Sequence, residues 1–271
     1  MNVSKYNILT GILKNMGSVL VAFSGGVDSG LLLKAATDAL GHKVIAVTAV
    51  SPARPKKEID SAKRIAKSLG AKHIIISSNE LEEENVLNNS IERCYYCKKR
   101  VFSELLKIAN EENVNFVAEG SNADDTDQYR PGERAIEELA IKSPLKEAGL
   151  SKDDIRVLAK ELGLENWDMP SQSCFLTRFV YDKRIDAEQL ENVQKAEDII
   201  SGRGFTDVRV RVYDEYVRVE VSPEQVSELT KEVKEYIIKK LTDLGYKKVE
   251  IDPEGYRTGS MDEDMPWIKN K

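Results

Sequence analysis

The stretch that most constrains the fold runs from Val19 to Gly30 and reads VLVAFSGGVDSG. An apolar run is followed by two glycines and then by a second apolar segment that begins LLLKAA. This order predicts a buried strand, a tight turn and a helix whose first N–H groups point into the turn. Gly25 and Gly26 let the backbone approach a ligand without a Cβ in the way. The stretch therefore predicts a phosphate-binding loop.

The side chains of this loop also suit a phosphorylated ligand. Ser24 and Ser29 add hydroxyl donors, and Asp28 stands where a Walker loop would carry lysine. A carboxylate beside phosphates usually acts through a bound Mg²⁺. The Ser-Gly-Gly-x-Asp-Ser pattern resembles the loop of the PP-loop ATP pyrophosphatases, and the resemblance implies cleavage of ATP between its α- and β-phosphates. A plain glycine turn is the alternative, and the strand–turn–helix context favours the nucleotide.

Length and composition indicate a globular protein with two domains. The chain has 271 residues, of which 41% are hydrophobic and 32% charged, and its net charge is −6. The acidic balance argues against a broad nucleic-acid-binding surface. We see neither a signal peptide nor an apolar run long enough to span a bilayer, and therefore expect a cytoplasmic protein without membrane contact.

Apolar strands alternate with helices through the first two thirds of the chain. After the first strand, the segments Lys43–Val50, His73–Ile76 and Asn115–Ala118 read as strands separated by helices. We therefore predict an α/β fold for residues 1–182, a doubly wound, Rossmann-like parallel sheet of the PP-loop type. Residues 183–271 read as helix, two alternating strands, helix and strand. They predict a smaller C-terminal α+β domain for substrate binding or oligomerisation.

One connection in the first domain stands out by composition. Residues 79–89 are acidic and rich in asparagine. This composition favours a mobile surface segment that could act as a lid.

Polar residues follow two other strands of the predicted sheet. Thr48 lies near the carboxyl end of the second strand and Arg54 follows it, while Gly120, Asp124 and Asp125 follow the fourth strand. Because ligands of such sheets bind at the carboxyl ends of the strands, we expect all five beside the glycine loop. The first two would contact the nucleotide, and the paired carboxylates would hold Mg²⁺ or orient substrate. A solvated arginine and two capping carboxylates are the alternatives.

Three cysteines offer further chemistry. Cys94 and Cys97 form a CxxC pair at a predicted helix start, where a thiol pKa is lowered, and Cys174 lies in the segment SQSCFLTR. An odd number of cysteines favours thiol, metal or redox chemistry over a disulfide framework. From the residues alone, a redox pair, part of a zinc site, a packed pair and three ligands of a [4Fe–4S] cluster all stay open.

The predicted C-terminal strands carry three arginines. Arg209, Arg211 and Arg218 alternate with valines, and a period of two places Arg209 and Arg211 on one face. The pattern predicts an anion-binding strip for a substrate phosphate, with a solvated outer face as the alternative.

Segments from the glycine loop to the C-terminal region together carry a more specific resemblance. They are EGSNADD at 119–125, DQYRPG at 127–132, SPL at 143–145, WDMP at 167–170, CFLTR at 174–178 and GYRTGSM at 255–261. With the loop, they resemble the LarE family, the ATP-dependent sulfur transferases of nickel-pincer nucleotide biosynthesis. The resemblance extends from about residue 5 to residue 263.

This resemblance implies an enzyme that uses ATP and Mg²⁺ to adenylate a pyridinium dicarboxylate mononucleotide. Sulfur transfer then gives a thiocarboxylate. The family also implies a homo-oligomer, hexameric in the well-known branch. Asp28 and Cys174 are the expected catalytic residues, and Cys174 matches the cysteine that surrenders its own sulfur in that branch. Since Cys94 and Cys97 are additional here, we expect all three cysteines to bind a [4Fe–4S] cluster whose open iron accepts sulfide from a donor.

Three other functions are alternatives to this one. A PP-loop tRNA thiolation enzyme would need a basic RNA-binding appendage, and the acidic chain has none. An amide-forming ligase would need an ammonia source, and nothing resembles a glutaminase domain. A nucleotide-binding sensor would bind ATP without releasing pyrophosphate.

Overall fold

The structure is a computed structural model that describes residues 2–127, 131–169 and 173–261. The chain divides into two compact units. The first comprises residues up to 86 together with 92–169, and the second comprises residues 87–91 together with those from 173 onward. No helix in the described ranges combines the length and the apolar character that a membrane span requires.

A four-stranded parallel sheet forms the centre of the first unit. Its strands are β1 (Val19–Ala22), β2 (Val44–Val50), β3 (Lys72–Ser77) and β4 (Phe116–Ala118), in the order β3-β2-β1-β4. The order reverses at β1, which has β2 on one side and β4 on the other. Such a reversal opens a crevice at the carboxyl ends of the strands, where doubly wound sheets bind ligands. The predicted α/β class is confirmed.

Helices cover both faces of this sheet. They are α1 (Asn2–Met16), α2 (Val27–Leu40), α3 (Lys56–Ser68), α4 (Glu84–Leu87), α5 (Arg93–Glu111), α6 (Pro131–Glu138), α7 (Pro144–Glu147) and α8 (Lys152–Glu161). Val19 and Val21 belong to the core that includes residues of α1, α2, α3 and α8, whereas Leu20 belongs to the core of α5. Successive strand residues therefore enter opposite cores, as the apolar strand predicted.

The acidic segment of residues 79–89 is partly helical. It contains a 3₁₀ turn at Glu80–Glu82 and all of α4, and Glu80, Val86 and Asn89 are buried. The Ser78 hydroxyl donates to the Glu80 carboxylate. Its polar side chains therefore do not all face water, and its role as a mobile lid stays a prediction.

The second unit is a small α+β structure. It contains α9 (Ala187–Ser201), β5 (Arg209–Val212), β6 (Val217–Glu220), α10 (Val226–Glu228), α11 (Lys234–Asp243) and β7 (Val249–Ile251). In its sheet, β6 is antiparallel to β5 and parallel to β7. The second helix predicted for this domain is interrupted by a π-helical segment at Leu229–Val233, with 3₁₀ and α turns before it.

The second unit begins at residue 173, earlier than the predicted boundary at 182/183. Arg178 explains the difference, since its guanidinium is fully buried and bonds Glu197 of α9 at 2.7 Å. Phe179 also forms a β-bridge with Val212 of β5. Residues 87–91 join the same unit, because the Asn89 amide donates to the carbonyl of Phe179.

Candidate functional site

The glycine loop between β1 and α2 forms the tight turn that its sequence predicted. Gly25 has φ +88°, and a Cβ there would lie 2.4 Å from the carbonyl oxygen of Glu58 and 2.9 Å from the nitrogen of Ala62. The loop backbone therefore packs directly on α3. Within the described residues no side chain caps α2 at Gly26. The first N–H groups of this helix are thus available to an anion.

Two serine hydroxyls hold the loop in shape. The Ser29 hydroxyl lies 3.1 Å from that of Ser24 and donates to the Gly26 carbonyl at 3.2 Å. The backbone N–H groups of Ser24 and Gly26 in turn donate to the two hydroxyls, each at 3.3 Å. The serines therefore preorganise the turn before any ligand is present.

Asn166 is a loop-shaping residue that sequence reasoning missed. Its side chain is buried, and its amide donates to the Gly25 carbonyl at 2.9 Å. Ser61 of α3 donates to the same oxygen at 3.3 Å. A Cβ on Gly30 would meet the Asn166 amide nitrogen at 2.9 Å. Gly30, a glycine inside a helix, was the only feature of the sequence that could have indicated how closely Asn166 approaches α2.

Asp28 sits in the first turn of α2 with partners from two other segments. Its Oδ2 accepts from the ammonium of Lys152 at the start of α8, and its Oδ1 accepts from the Asn122 amide at 3.5 Å. The carboxylate is thus placed beside the helix N-terminus with a cation already on it. Lys152 was not among the predicted site residues.

The loop after β4 lies next to the glycine loop. A Cβ on Gly120 would lie 3.1 Å from the backbone nitrogen of Ser29. Asp124 accepts from the backbone N–H of Lys152 at 2.8 Å, and Asp125 accepts from that of Asn122 at 3.0 Å. These are capping contacts, one of the two interpretations left open by the sequence. A role in binding Mg²⁺ or substrate stays a prediction.

Residues at the carboxyl end of β2 and beyond it also lie next to the loop. The buried Thr48 hydroxyl donates to the Phe23 carbonyl at 2.7 Å and lies 2.8 Å from Nε2 of His73. Burial raises the pKa of the Glu58 carboxyl to about 7, against the opposing charge of half-buried Arg54. Burial, with a smaller effect of Lys63, lowers the pKa of His73. Burial therefore favours the uncharged forms of Glu58 and His73 on this side of the loop.

The CxxC pair occupies the first turn of α5, within the first unit. Cys94 is exposed and Cys97 is half-buried. The next residue, Lys98, lies 3.9 Å from a carboxylate oxygen of Glu119 at the end of β4. Gly132 of α6 packs closely against the same lysine, because a Cβ on this glycine would lie 2.8 Å from Cδ of Lys98. The start of α5 is therefore held close to the same end of the sheet.

Cys174 lies in the second unit, immediately before the 3₁₀ turn Phe175–Arg178. No disulfide joins any two of the three cysteines, all of which are described. Within the described ranges, no group of three or more histidine, cysteine, aspartate or glutamate side chains could hold a metal ion. The structure therefore gives the predicted [4Fe–4S] cluster no support.

The three C-terminal arginines differ in exposure. Arg209 and Arg211 are 3% and 5% exposed, which excludes a solvated outer face for them. Arg211 bonds Glu220 at 3.0 Å and the Thr177 carbonyl at 3.1 Å. Burial and the nearby charge of Arg178 lower the pKa of Arg209. The cluster is rich in buried positive charge.

Arg218 lies at the accessible end of the same sheet. Its guanidinium lies 5.1 Å from the ring centre of Tyr213 and donates to the Tyr216 hydroxyl at 3.0 Å. The two tyrosine rings stack 4.6 Å apart, and Asp252 lies 3.9 Å from the guanidinium. This is the partly exposed arginine of the three.

Comparison with known proteins agrees with this geometry. The sequence model of the family described as "Arginosuccinate synthase N-terminal HUP domain" matches residues 18–165, a little more than half of the chain. An uncharacterized protein of Synechocystis sp. is 36% identical over 95% of the chain and 97% of its own length. The pyridinium-3,5-bisthiocarboxylic acid mononucleotide synthase of Lactiplantibacillus plantarum is 34% identical over 97% and 95%. A tRNA-specific 2-thiouridylase of Rickettsia africae is more distant, at 28% identity over 69% of the chain and 62% of its own length.

Proposed function

Since the chain belongs to the LarE family of ATP-using sulfur transferases, we propose that it converts a carboxylate of a pyridinium dicarboxylate mononucleotide into a thiocarboxylate. The observation that carries the proposal is the preorganised glycine loop at the uncapped start of α2, with Asp28 beside it. The full-length similarity to a synthase of this class selects the reaction among those that such a loop serves. A tRNA thiolation enzyme is less favoured, because that similarity is lower and covers less of both chains.

The proposed reaction has two half-reactions. A carboxylate oxygen first attacks the α-phosphorus of ATP, which forms an acyl–oxygen–phosphorus bond and releases pyrophosphate. A sulfur nucleophile then adds to the carbonyl carbon, and AMP departs with the former carboxylate oxygen. Without AMP as leaving group, a free carboxylate is a poor acyl electrophile. The demands on the protein are therefore positioning and charge neutralisation.

The first unit supplies those functions through its own groups. The N–H groups at the start of α2 would bind phosphate oxygens, and the Ser24 and Ser29 hydroxyls keep the turn open for them. Asp28 fits a magnesium ion, because Mg²⁺ in nucleotide sites is held by one or two carboxylates plus phosphates and water. The ion would supply neutralisation of phosphate charge.

The arginine cluster of the second unit is the proposed site for the substrate phosphate. Arg209 and Arg211 are buried, and the pKa of Arg209 is lowered first by burial and then by the charge of Arg178. A bound anion would offset both effects. Arg218, over two stacked tyrosines, would recognise the phosphate or ring from the accessible side.

The sulfur source remains a separate proposal. The cluster hypothesis for Cys94, Cys97 and Cys174 rests on the sequence alone, and the alternative is that Cys174 gives up its own sulfur. Anaerobic reconstitution with iron and sulfide separates the two. About four irons per chain and an intact Cys174 after several turnovers support the cluster. Loss of one sulfur from Cys174, without bound iron, supports the sacrificial mechanism.

Pyrophosphate release tests the function itself. Wild-type protein should release pyrophosphate only when ATP, Mg²⁺ and the carboxylated mononucleotide are all present. Asp28→Ala should abolish the release without lowering the melting temperature, since its side chain is not part of a core. Pyrophosphate release that does not depend on the mononucleotide would contradict the proposed substrate. ATP binding without pyrophosphate release would indicate a nucleotide-binding sensor. A gel shift with bulk tRNA should be negative.

The assembly and location of the protein are proposed from sequence as well. We propose a homo-oligomer, with a hexamer as the form known in the family, in the cytoplasm and with a sulfide donor as its partner. Light scattering of the purified protein tests the first point, and a monomer at assay concentration would contradict it.

A further inference from the structure

Lys152 links two acidic residues at the mouth of the glycine loop. Its ammonium contacts Asp28 in the first turn of α2, while its backbone N–H donates to Asp124 at 2.8 Å. Neither the loop motif nor the segment after β4 includes this residue. The side chains of Lys152 and Asp28 are 27% and 25% exposed, so the ion pair lies where a ligand can reach it.

The backbone of Lys152 is held far more firmly than its side chain. Lys152 opens α8, whose start is fixed by a capping box between Ser151 and Asp154. Asp154 also contacts Lys5 of α1, and Asp124 accepts from the first N–H of the helix. The ammonium, in contrast, stands at the end of four flexible methylenes. It can change partners while its Cα stays in place.

The ammonium of Lys152 contacts the carboxylate that the proposed magnesium ion would use. Asp28 is the acidic side chain of the loop, and its Oδ1 also accepts from the Asn122 amide. A metal ion and an ammonium compete for this carboxylate, because each places positive charge beside the same two oxygens. A cation that arrives with ATP would therefore weaken the Lys152 contact, and the released ammonium would then be free to bind the phosphates at the start of α2.

We propose that Lys152 is a positioning residue of the nucleotide site. Its ammonium holds Asp28 in place while the loop is empty, competes with a metal ion for that carboxylate, and moves to a nucleotide phosphate once Mg²⁺ and ATP are bound. This inference rests on the proposed nucleotide site and adds to it a residue that neither the loop motif nor the family comparison assigns.

The competing explanation is that Lys152 only secures the start of α8. In that case its replacement would lower the melting temperature and weaken every ligand together. The proposed exchange instead makes the two ligands respond in opposite directions. Removal of the ammonium should favour a bare metal ion and disfavour ATP.

The test is Lys152→Met, measured with Mn²⁺ as the metal probe. Electron paramagnetic resonance gives the Mn²⁺ affinity without nucleotide, and calorimetry gives the affinity for ATP with Mg²⁺. We expect Mn²⁺ to bind about fivefold tighter and ATP about fivefold weaker than in the wild type, the scale of a partly exposed ion pair. Lys152→Arg retains the charge and should stay near wild type in both measurements.

A matched control lies on the same helix. Lys160 of α8 packs over the Trp167 ring, 4.4 Å from its centre, and does not approach the loop. Lys160→Met should change neither affinity. Any result for Lys152→Met other than opposite shifts, in particular no change or joint weakening, overturns the proposal. If the wild type binds ATP but releases no pyrophosphate, the proposed function is contradicted, while the comparison of Mn²⁺ and ATP affinities still tests the role of Lys152.

Discussion

The side-chain amide of Asn166 donates a 2.9 Å hydrogen bond to the carbonyl oxygen of Gly25. The two residues are 141 positions apart, yet the bond fixes the one loop carbonyl that the positive φ of Gly25 turns toward the core. The glycine loop is therefore shaped from outside its own motif. Its competence for phosphate depends on α3 and on the segment after α8 as much as on its glycines.

Asn166→Ala should impair both the fold and nucleotide binding. It removes one donor from a buried carbonyl, and such a loss costs about 1–3 kcal/mol of unfolding free energy. A looser turn should also raise the KM for ATP several-fold. Urea denaturation and pyrophosphate kinetics check the two effects. Asn79→Ala, at an exposed position without a capping bond, is the control and should match the wild type.

Gly25→Ala should abolish ATP binding. The new methyl would meet the Glu58 carbonyl at 2.4 Å and require an unfavourable φ, at a cost of about 3 kcal/mol. Gly11→Ala, in the middle of α1 with nothing within 4 Å of its Cβ, should instead stabilise the protein slightly. Thermal unfolding with and without ATP measures both. Equal behaviour of the two variants would mean that the loop does not need its left-handed residue.

Arg218 is the better test of the substrate-phosphate site than its buried neighbour. Arg218→Ala should raise the KM for the mononucleotide with little change for ATP, since the residue lies in the second unit and is partly exposed. Arg211→Ala would leave the Glu220 carboxylate buried without its partner and should lose about 3 kcal/mol of stability. Identical kinetics of Arg218→Ala and wild type would remove this strip from the substrate site.

The buried Glu58 predicts a pH effect on stability. Its pKa rises from 4.5 to about 7 on folding, so the folded protein binds the extra proton between these values. The unfolding free energy therefore falls as the pH rises through that window, by about 3 kcal/mol in total. Glu58→Gln removes this component. Denaturation at about pH 5 and about pH 8 should show a smaller decrease for the variant than for the wild type, and equal slopes would contradict the assignment.

The local parts of the fold follow from the sequence. The apolar run, the glycines and the second apolar segment predicted β1, the loop and the helix α2, as the structure has it. Local patterns carry this information because the strand and helix periods and the turn residues are all present in one stretch. The parallel sheet follows from repetition of the same pattern.

The rest depends on contacts between distant segments. Asn166 and Lys152 belong to no motif, and only the folded chain brings them to Gly25 and Asp28. The arginine strip shows the same limit, because period two placed Arg209 and Arg211 on one face but could not show that this face is buried. Sequence predicted which strand ends form the site, while tertiary packing decided which side chains complete it.

The proposed reaction activates the carboxylate as an acyl-adenylate at the glycine loop. An isotope experiment checks this with mononucleotide whose carboxylate oxygens carry a heavy-oxygen label, incubated with the protein, ATP, Mg²⁺ and a sulfur source. Mass spectrometry should find one labelled oxygen in AMP for each thiocarboxylate formed, and the Asp28→Ala variant should form neither thiocarboxylate nor labelled AMP. Thiocarboxylate formed together with unlabelled AMP, or with label in inorganic phosphate, would contradict activation as an acyl-adenylate.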